Sequence, residues 1–241
     1  IITGALLLCI SFASMAQRGD VYQPFYDEDL FYLGFNVGIN NNYYNFNRNV
    51  EFASPAAGAV SSINPKNNIS LTMGLAGTLR LSTHTLLRLN PTVVIAGSKN
   101  LFTFTRIEYP NGNPTMNAAT ALINIPLALK IVSDRYNAFH YTDIMRHYVF
   151  VGGKIDYDLV GPNGSIQNST SGSEPIYKNI FNSLDYGYEM GLGVSFYLPY
   201  ATISPEVKFS YGVRNLNKGA PLLSSIRDIT SNFVYFTIHV E

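Results

Sequence analysis

Every second residue is apolar along long stretches of this chain. In FYLGFNVGIN, Phe31, Leu33, Phe35, Val37 and Ile39 share one face, and Tyr32, Gly34, Asn36, Gly38 and Asn40 the other. A period of two marks a β-strand with unlike faces. Seven further runs repeat it, at about 69–81, 86–98, 120–132, 146–160, 184–197, 201–213 and 231–241. The spacing therefore predicts eight strands. Most exceed the about 5–6 residues usual in soluble sheets and reach the about 9–11 that a tilted membrane-spanning strand needs.

The distribution of charge says what the two faces meet. The central part of the apolar face carries no Lys, Arg, Asp or Glu in any run. The other face carries Arg80, Arg88, Lys130, Lys154 and Lys208 against Asp156, Asp158, Asp185, Glu189 and Glu206. A cation facing lipid costs about 2–4 kcal/mol at the bilayer midplane, so its exclusion is expected there. The interior of an eight-stranded barrel is just wide enough for side chains. In SPEVKFSYG, then, Val207, Phe209 and Tyr211 are expected to face lipid, and Glu206 and Lys208 a narrow lumen. A lumen charge network of Arg80, Arg88, Lys130, Lys154, Asp156, Glu189, Glu206 and Lys208 follows, filling the barrel rather than lining a channel. The competing arrangement is a soluble lipocalin-like barrel with its apolar face inward. It fits the strand lengths poorly.

Links between the runs alternate in length. STHT (82–85) and LPY (198–200) are short, whereas 45–68, 99–119, 161–183 and 214–230 are long and rich in Asn, Gly, Ser and Pro. Short turns at one end and long loops at the other is the pattern of outer-membrane barrels, with both termini on the short-turn, periplasmic side. The link SDRYNAFHYTDIM (133–145) is long for a periplasmic turn. The fold expected is an eight-stranded antiparallel transmembrane β-barrel of the outer membrane.

Composition agrees with this. Charged residues make up 13% of the chain, against about 25% in a typical soluble protein. The 16 basic and 16 acidic residues balance, so nothing points to nucleic acid. IITGALLLCISFASMAQ is apolar and then small, with Ser14 and Ala16 placed for cleavage before Gln17. Residues 1–16 read as a signal peptide lacking its basic n-region. Residues 17–29 then form a periplasmic lead-in and 30–241 the barrel. Cys9, the one cysteine, lies in the signal segment, behind Leu7 and Leu8 rather than small residues, which argues against lipidation.

IPLALKIVSDR (125–135), FYLPYATISPEVKFSYGVRN (196–215) and TSNFVYFTIHVE (230–241) resemble segments of the PorT family, called SprT in gliding bacteria. FYLGFNVGIN and GLAGTLRLSTHTLLRLNPTV (74–93) fit the same pattern more loosely. The resemblance touches most strands and none of the long loops. It implies an outer-membrane barrel of the Bacteroidetes type IX secretion system, needed for protein secretion and, in motile species, gliding. The implied partners are other secretion subunits, beside outer-membrane lipid and lipopolysaccharide. The resemblance brings no catalytic residues with it.

Ser133, Asp134 and Arg135 would lie at the periplasmic rim. They either cap the turn, with Asp134 and Arg135 paired locally, or form a docking site for secretion components. Tyr136, Phe139 and Tyr141 follow them, as docking or interfacial aromatics. His84, His140, His147 and His239 are the histidines. All are expected near periplasmic ends, and His84 has Ser82 nearby but no acid adjacent in sequence, so no catalytic set is expected. No metal, cofactor or small-molecule substrate is expected either, since no HExxH, CxxC or phosphate-binding loop is present. A generic structural or adhesion barrel, or a lipid-modifying enzyme, are the alternatives.

Overall fold

The computed structural model describes residues 28–49, 60–65, 68–106, 115–136, 144–159, 165–167, 177–178, 181–219 and 226–241. The expected signal peptide, most of the lead-in, His140, Phe139 and Tyr141 lie outside the described residues. The strands are β1 (Phe31–Arg48), β2 (Val60–Pro65), β3 (Asn68–Arg80), β4 (Thr85–Leu89), β5 (Thr92–Arg106), β6 (Thr115–Val132), β7 (Met145–Asp158), β8 (Ser165–Gln167), β9 (Tyr177–Lys178), β10 (Leu184–Tyr197), β11 (Thr202–Gly212) and β12 (Ile226–Val240).

These segments make eight antiparallel staves. β2 continues β3 along β5, through Ile63↔Phe104 and Leu71↔Ile95. β8 continues β7 along β6, and β9 pairs β8 as β10 pairs β7. β4 and β5 together fill the place between β3 and β6. The ring closes between the first and last staves, from Phe35↔Val240 to Asn47↔Asp228.

The predicted third strand is divided by Pro91. Leu75 still donates its N–H to Pro91 O at 3.0 Å, but Pro91 has none to return, so one ladder bond is lost. The next bond is lost as well, because Asn90 stands opposite Pro126 and donates to its carbonyl at 3.3 Å without a return bond. The Thr92 hydroxyl donates to Asn90 O at 3.0 Å instead, which satisfies a carbonyl the ladder leaves open.

The outward face is apolar over Phe31–Ile39, Ile69–Leu81 and Ile125–Ile131, with Tyr157, Tyr186 and Tyr188 exposed towards the long-loop end. No Lys, Arg, Asp or Glu stands within this band among the described residues. A soluble protein buries such a surface; here it forms a belt whose height suits a bilayer. The staves run past the belt at the long-loop end. The segments read as links at 45–68, 99–119, 161–183 and 214–230 contain the outer parts of β1, β5 and β6, all of β2, β8 and β9, and the start of β12. Above the belt both faces of a strand meet water, so residues such as Asn41, Asn45 and Asn47 take outward positions and the alternation fades.

At the other end the turns after β3 and β10 are short, and the link between β6 and β7 is the long exception. Leu81 donates its N–H to Thr85 O and Leu198 to Ala201 O, each at 3.0 Å. Residue 31, where β1 starts, and residue 241, just beyond β12, are both at this short-turn end.

Candidate functional site

The lumen is packed with polar side chains. Its two halves differ in size. From β1 and β3, Asn36, Asn40, Asn42, Ser70, Thr72 and Thr78 point inward and are buried. Gly38 and Gly74 keep this wall close to its neighbours: a Cβ on Gly38 would stand 2.3 Å from Phe236 O, and one on Gly74 2.4 Å from Pro91 O. The opposite half supplies long side chains, which fill the space that the small wall leaves.

Two ionic clusters result. In the first, Glu206 on β11 is the hub. Its Oε2 accepts from Arg88 Nη2 at 2.7 Å and from the Tyr148 hydroxyl at 2.9 Å, while Oε1 lies 3.6 Å from His239 Nε2. The Arg88 guanidinium also sits 4.8 Å from the Phe150 ring centre. In the second, Lys208 Nζ lies 3.1 Å from Glu189 Oε2 and donates to Asn124 Oδ1 at 3.3 Å. Asn124 Nδ2 donates to Asp156 Oδ1 at 2.5 Å, and Lys154 donates to Asp156 Oδ2 at 2.6 Å. Ser231 donates its hydroxyl to Asp185. Each cluster ties β11 to three or more other staves, so the charges work as cross-braces as well as filling.

Of the expected network, Arg88, Lys130, Lys154, Asp156, Glu189, Glu206 and Lys208 are inward and buried. Arg80 is not. It is the last residue of β3, and its Nε donates to Asp29 O at 3.2 Å on the exposed rim. Parity gives the face of a strand, not the height along the barrel. Arg146, Tyr148 and His239 belong to the lumen although the expected charge network did not include them. Arg146 and Tyr148 share parity with Lys154, which is the signal that would have found them. His239, expected near the barrel end and on the polar face of the last run, is fully buried beside Glu206.

Ser133, Asp134 and Arg135 have separate tasks. Ser133 Oγ donates to Asp134 O at 2.9 Å and accepts the His147 N–H at 3.2 Å, closing the turn onto β7. Asp134 reaches across to the neighbouring turn, where its Oδ1 lies 2.8 Å from His84 Nε2. An acid thus does stand beside His84, brought by the fold. The Ser82 hydroxyl is engaged by the His84 backbone N–H at 3.4 Å. Arg135 turns over the lumen mouth, its guanidinium 3.8 Å from the centre of the Tyr197 ring; that of Arg146 is 5.9 Å from the same ring.

The long-loop end is closed differently. Phe181, Leu216, Ile226 and Ile229 are buried there, with Tyr44 stacked on Phe181 at 6.3 Å. Asn215 organises this cap. It donates to Arg227 O and to Asp228 Oδ1, both at 3.0 Å, and accepts from the N–H of Asn217 and of Ile229. Among the described residues no group of three or more His, Cys, Asp or Glu is placed to hold a metal ion.

No curated protein matches the chain. Solved structures that are similar to it include neisserial surface protein A, at 10% identity and a TM-score of 0.45, covering 88% of this chain and 97% of that one. OprG of Pseudomonas aeruginosa is similar at 10% identity and a TM-score of 0.43, covering 86% of this chain and 93% of that one. The attachment invasion locus protein of Yersinia pestis follows at 9% and 0.34, covering 86% and 96%. Residues 16–218 match the family model described as outer membrane protein beta-barrel domain, and with this match, a closed ring of eight staves and an outward apolar belt, the chain belongs to that family of outer-membrane barrels.

Proposed function

We propose that this barrel is an outer-membrane component of type IX protein secretion that acts through protein contacts at its short-turn rim, facing the periplasm, and catalyses no reaction. The observation that carries the reading is the filled lumen. With Arg88, Tyr148, Lys154, Glu189, Glu206 and Lys208 buried across it, the barrel leaves no route for a polypeptide, so a part in export has to be played from the surface. The PorT-like segments supply the assignment to secretion, and IPLALKIVSDR ends in the rim residues Ser133, Asp134 and Arg135. Asp134 is well exposed, as a docking residue needs to be. Both ends of the barrel domain then face the periplasm.

The test is a pull-down of tagged protein from native outer membranes, with a strain lacking the gene assayed for secreted cargo. Co-purifying secretion subunits and cargo held in the periplasm support the reading. A protein that purifies alone from a strain with normal export refutes it. A surface-binding role is the second reading, favoured by staves β1 and β6 that rise past the apolar belt. Normal export with altered surface attachment would support that instead, and altered lipid A would overturn the non-enzymatic reading.

A further inference from the structure

We propose that the long-loop edge of the apolar belt, at β10, β11 and β12, is a docking site for a phosphorylated glycolipid of the surrounding leaflet. Arg214 seats the phosphate, Arg227 on the next stave supports it, and the acyl chains lie against Tyr186 and Tyr188. The inference goes beyond the export reading and takes from it only the orientation, with the long loops outside.

Arg214 is the starting point. β11 ends at Gly212, but the chain follows β10 for one residue more, Val213 donating its N–H to Tyr186 O at 2.9 Å. Arg214 comes next, and its Nη1 donates to Leu184 O at 3.1 Å. The guanidinium therefore stands over the seam between β10 and β11. The group that orients it is a neutral carbonyl, and its other N–H groups are donors for an anion. Asn215 then turns to β12, where its amide donates to Arg227 O at 3.0 Å. That bond brings a second cation to the same sector. The Arg227 side chain is 77% exposed, with Asp228 Oδ2 3.4 Å from its Nε. Asp185, Glu189 and Glu206 of these staves turn into the lumen. Among the described residues of the three staves, the outer edge thus carries two guanidinium groups against one carboxylate, Asp228, and favours an anion.

The wall beneath says what the anion is attached to. Leu184, Tyr186, Tyr188 and Val213 face outward and are exposed, and the Tyr188 ring stacks on Tyr211 at 5.3 Å. Tyrosines at the edge of a lipid-facing band sit at headgroup level. A guanidinium just above them meets the phosphates of lipids whose chains run down the belt, and its planar fork matches a phosphate. A free anion would use the cations and leave the apolar wall untouched. The neighbouring polar surface favours a sugar headgroup over a plain phospholipid. Asn232 pairs with Tyr211 across β11 and β12, and Thr230 with Asn45 across β12 and β1, all at outward positions. Carboxamides and a hydroxyl offer uncharged donors and acceptors to sugar hydroxyls.

The full barrel, folded in detergent, would be titrated with lipid A carrying its phosphates, with dephosphorylated lipid A and with phosphatidylglycerol, and bound lipid counted by native mass spectrometry. Saturable binding of phosphorylated lipid A is expected, about tenfold or more tighter than of either other lipid, the worth of one charge-assisted contact. Arg214→Gln should weaken it by a similar factor. Arg227→Gln should weaken it too and serves if Arg214→Gln fails to fold. Arg80→Gln, on the opposite rim, should leave it unchanged. Equal binding of the phosphorylated and dephosphorylated forms, unchanged binding in both Arg214→Gln and Arg227→Gln, or an equal loss in Arg80→Gln overturns the site. Equal or tighter binding of phosphatidylglycerol overturns the glycolipid assignment, and displacement of lipid A by equimolar inorganic phosphate overturns the lipid assignment. The export reading stands or falls separately, because it concerns the other rim: normal cargo export from a strain lacking the gene sinks export and leaves lipid binding, whereas failed lipid A binding leaves export.

Discussion

Replacing Glu206 by Ala should be among the most damaging single changes to this barrel. The carboxylate is fully buried, and its loss leaves the Arg88 guanidinium, 2.7 Å away and itself buried, without a partner. The Tyr148 hydroxyl, which donates to the same oxygen at 2.9 Å, is stranded as well. Breaking a buried pair from one side costs about 3–5 kcal/mol, whereas an exposed pair such as His84–Asp134 is worth about 0–1 kcal/mol. Glu206→Ala is thus expected to lower stability by about 3–5 kcal/mol and Asp134→Ala by less than about 1. Removing both charges, as Arg88→Met with Glu206→Leu, leaves no orphaned charge of that pair; the Tyr148 hydroxyl loses its acceptor and His239 its neighbouring carboxylate, at about 1–3 kcal/mol for an unsatisfied polar group. The double variant should therefore be more stable than Glu206→Ala. Urea titration in lipid vesicles, read by the shift between folded and unfolded bands on unheated gels, measures all of these. If Glu206→Ala stays within about 1 kcal/mol of wild type, or the double variant loses as much as the two single ones added together, the cross-brace account is wrong.

Two more perturbations test the walls. Leu127→Arg, midway along the outward apolar belt of β6, should cost about 2–4 kcal/mol in the same titration, and Leu81→Arg at the rim about 0–1; equal costs would deny that the belt lies in lipid. Gly38→Ala should cut the yield of folded barrel sharply, since its Cβ would meet Phe236 O at 2.3 Å, whereas Gly153→Ala, with its nearest neighbour at 3.9 Å, should be tolerated; similar yields would contradict the close wall.

Face assignment was legible in the sequence because a closed barrel preserves parity along a whole stave. Arg88, Lys130, Lys154, Asp156, Glu189, Glu206 and Lys208 are inward for that reason. Partners were not legible. Arg88 on β4 meets Glu206 on β11, and Lys208 on β11 meets Asn124 on β6; such contacts depend on stave tilt and side-chain reach across the lumen, which alternation does not encode. Height was missed too, and put Arg80 in the lumen rather than on the rim. Asp134 meets His84 because two turns distant in sequence are adjacent in the ring. The outer parts of β1, β5 and β6 escaped notice because water on both faces removes the pattern that marks a strand in lipid.

The central claim is that this barrel is filled and works by contact rather than conduction. Current recorded across a planar bilayer holding the purified protein tests it most directly. The account predicts a silent bilayer, with no sustained steps, for the wild type. Stable, long-lived openings of the size given by water-filled porins would contradict it, and the lumen charges would then have to be reread as the lining of a pore.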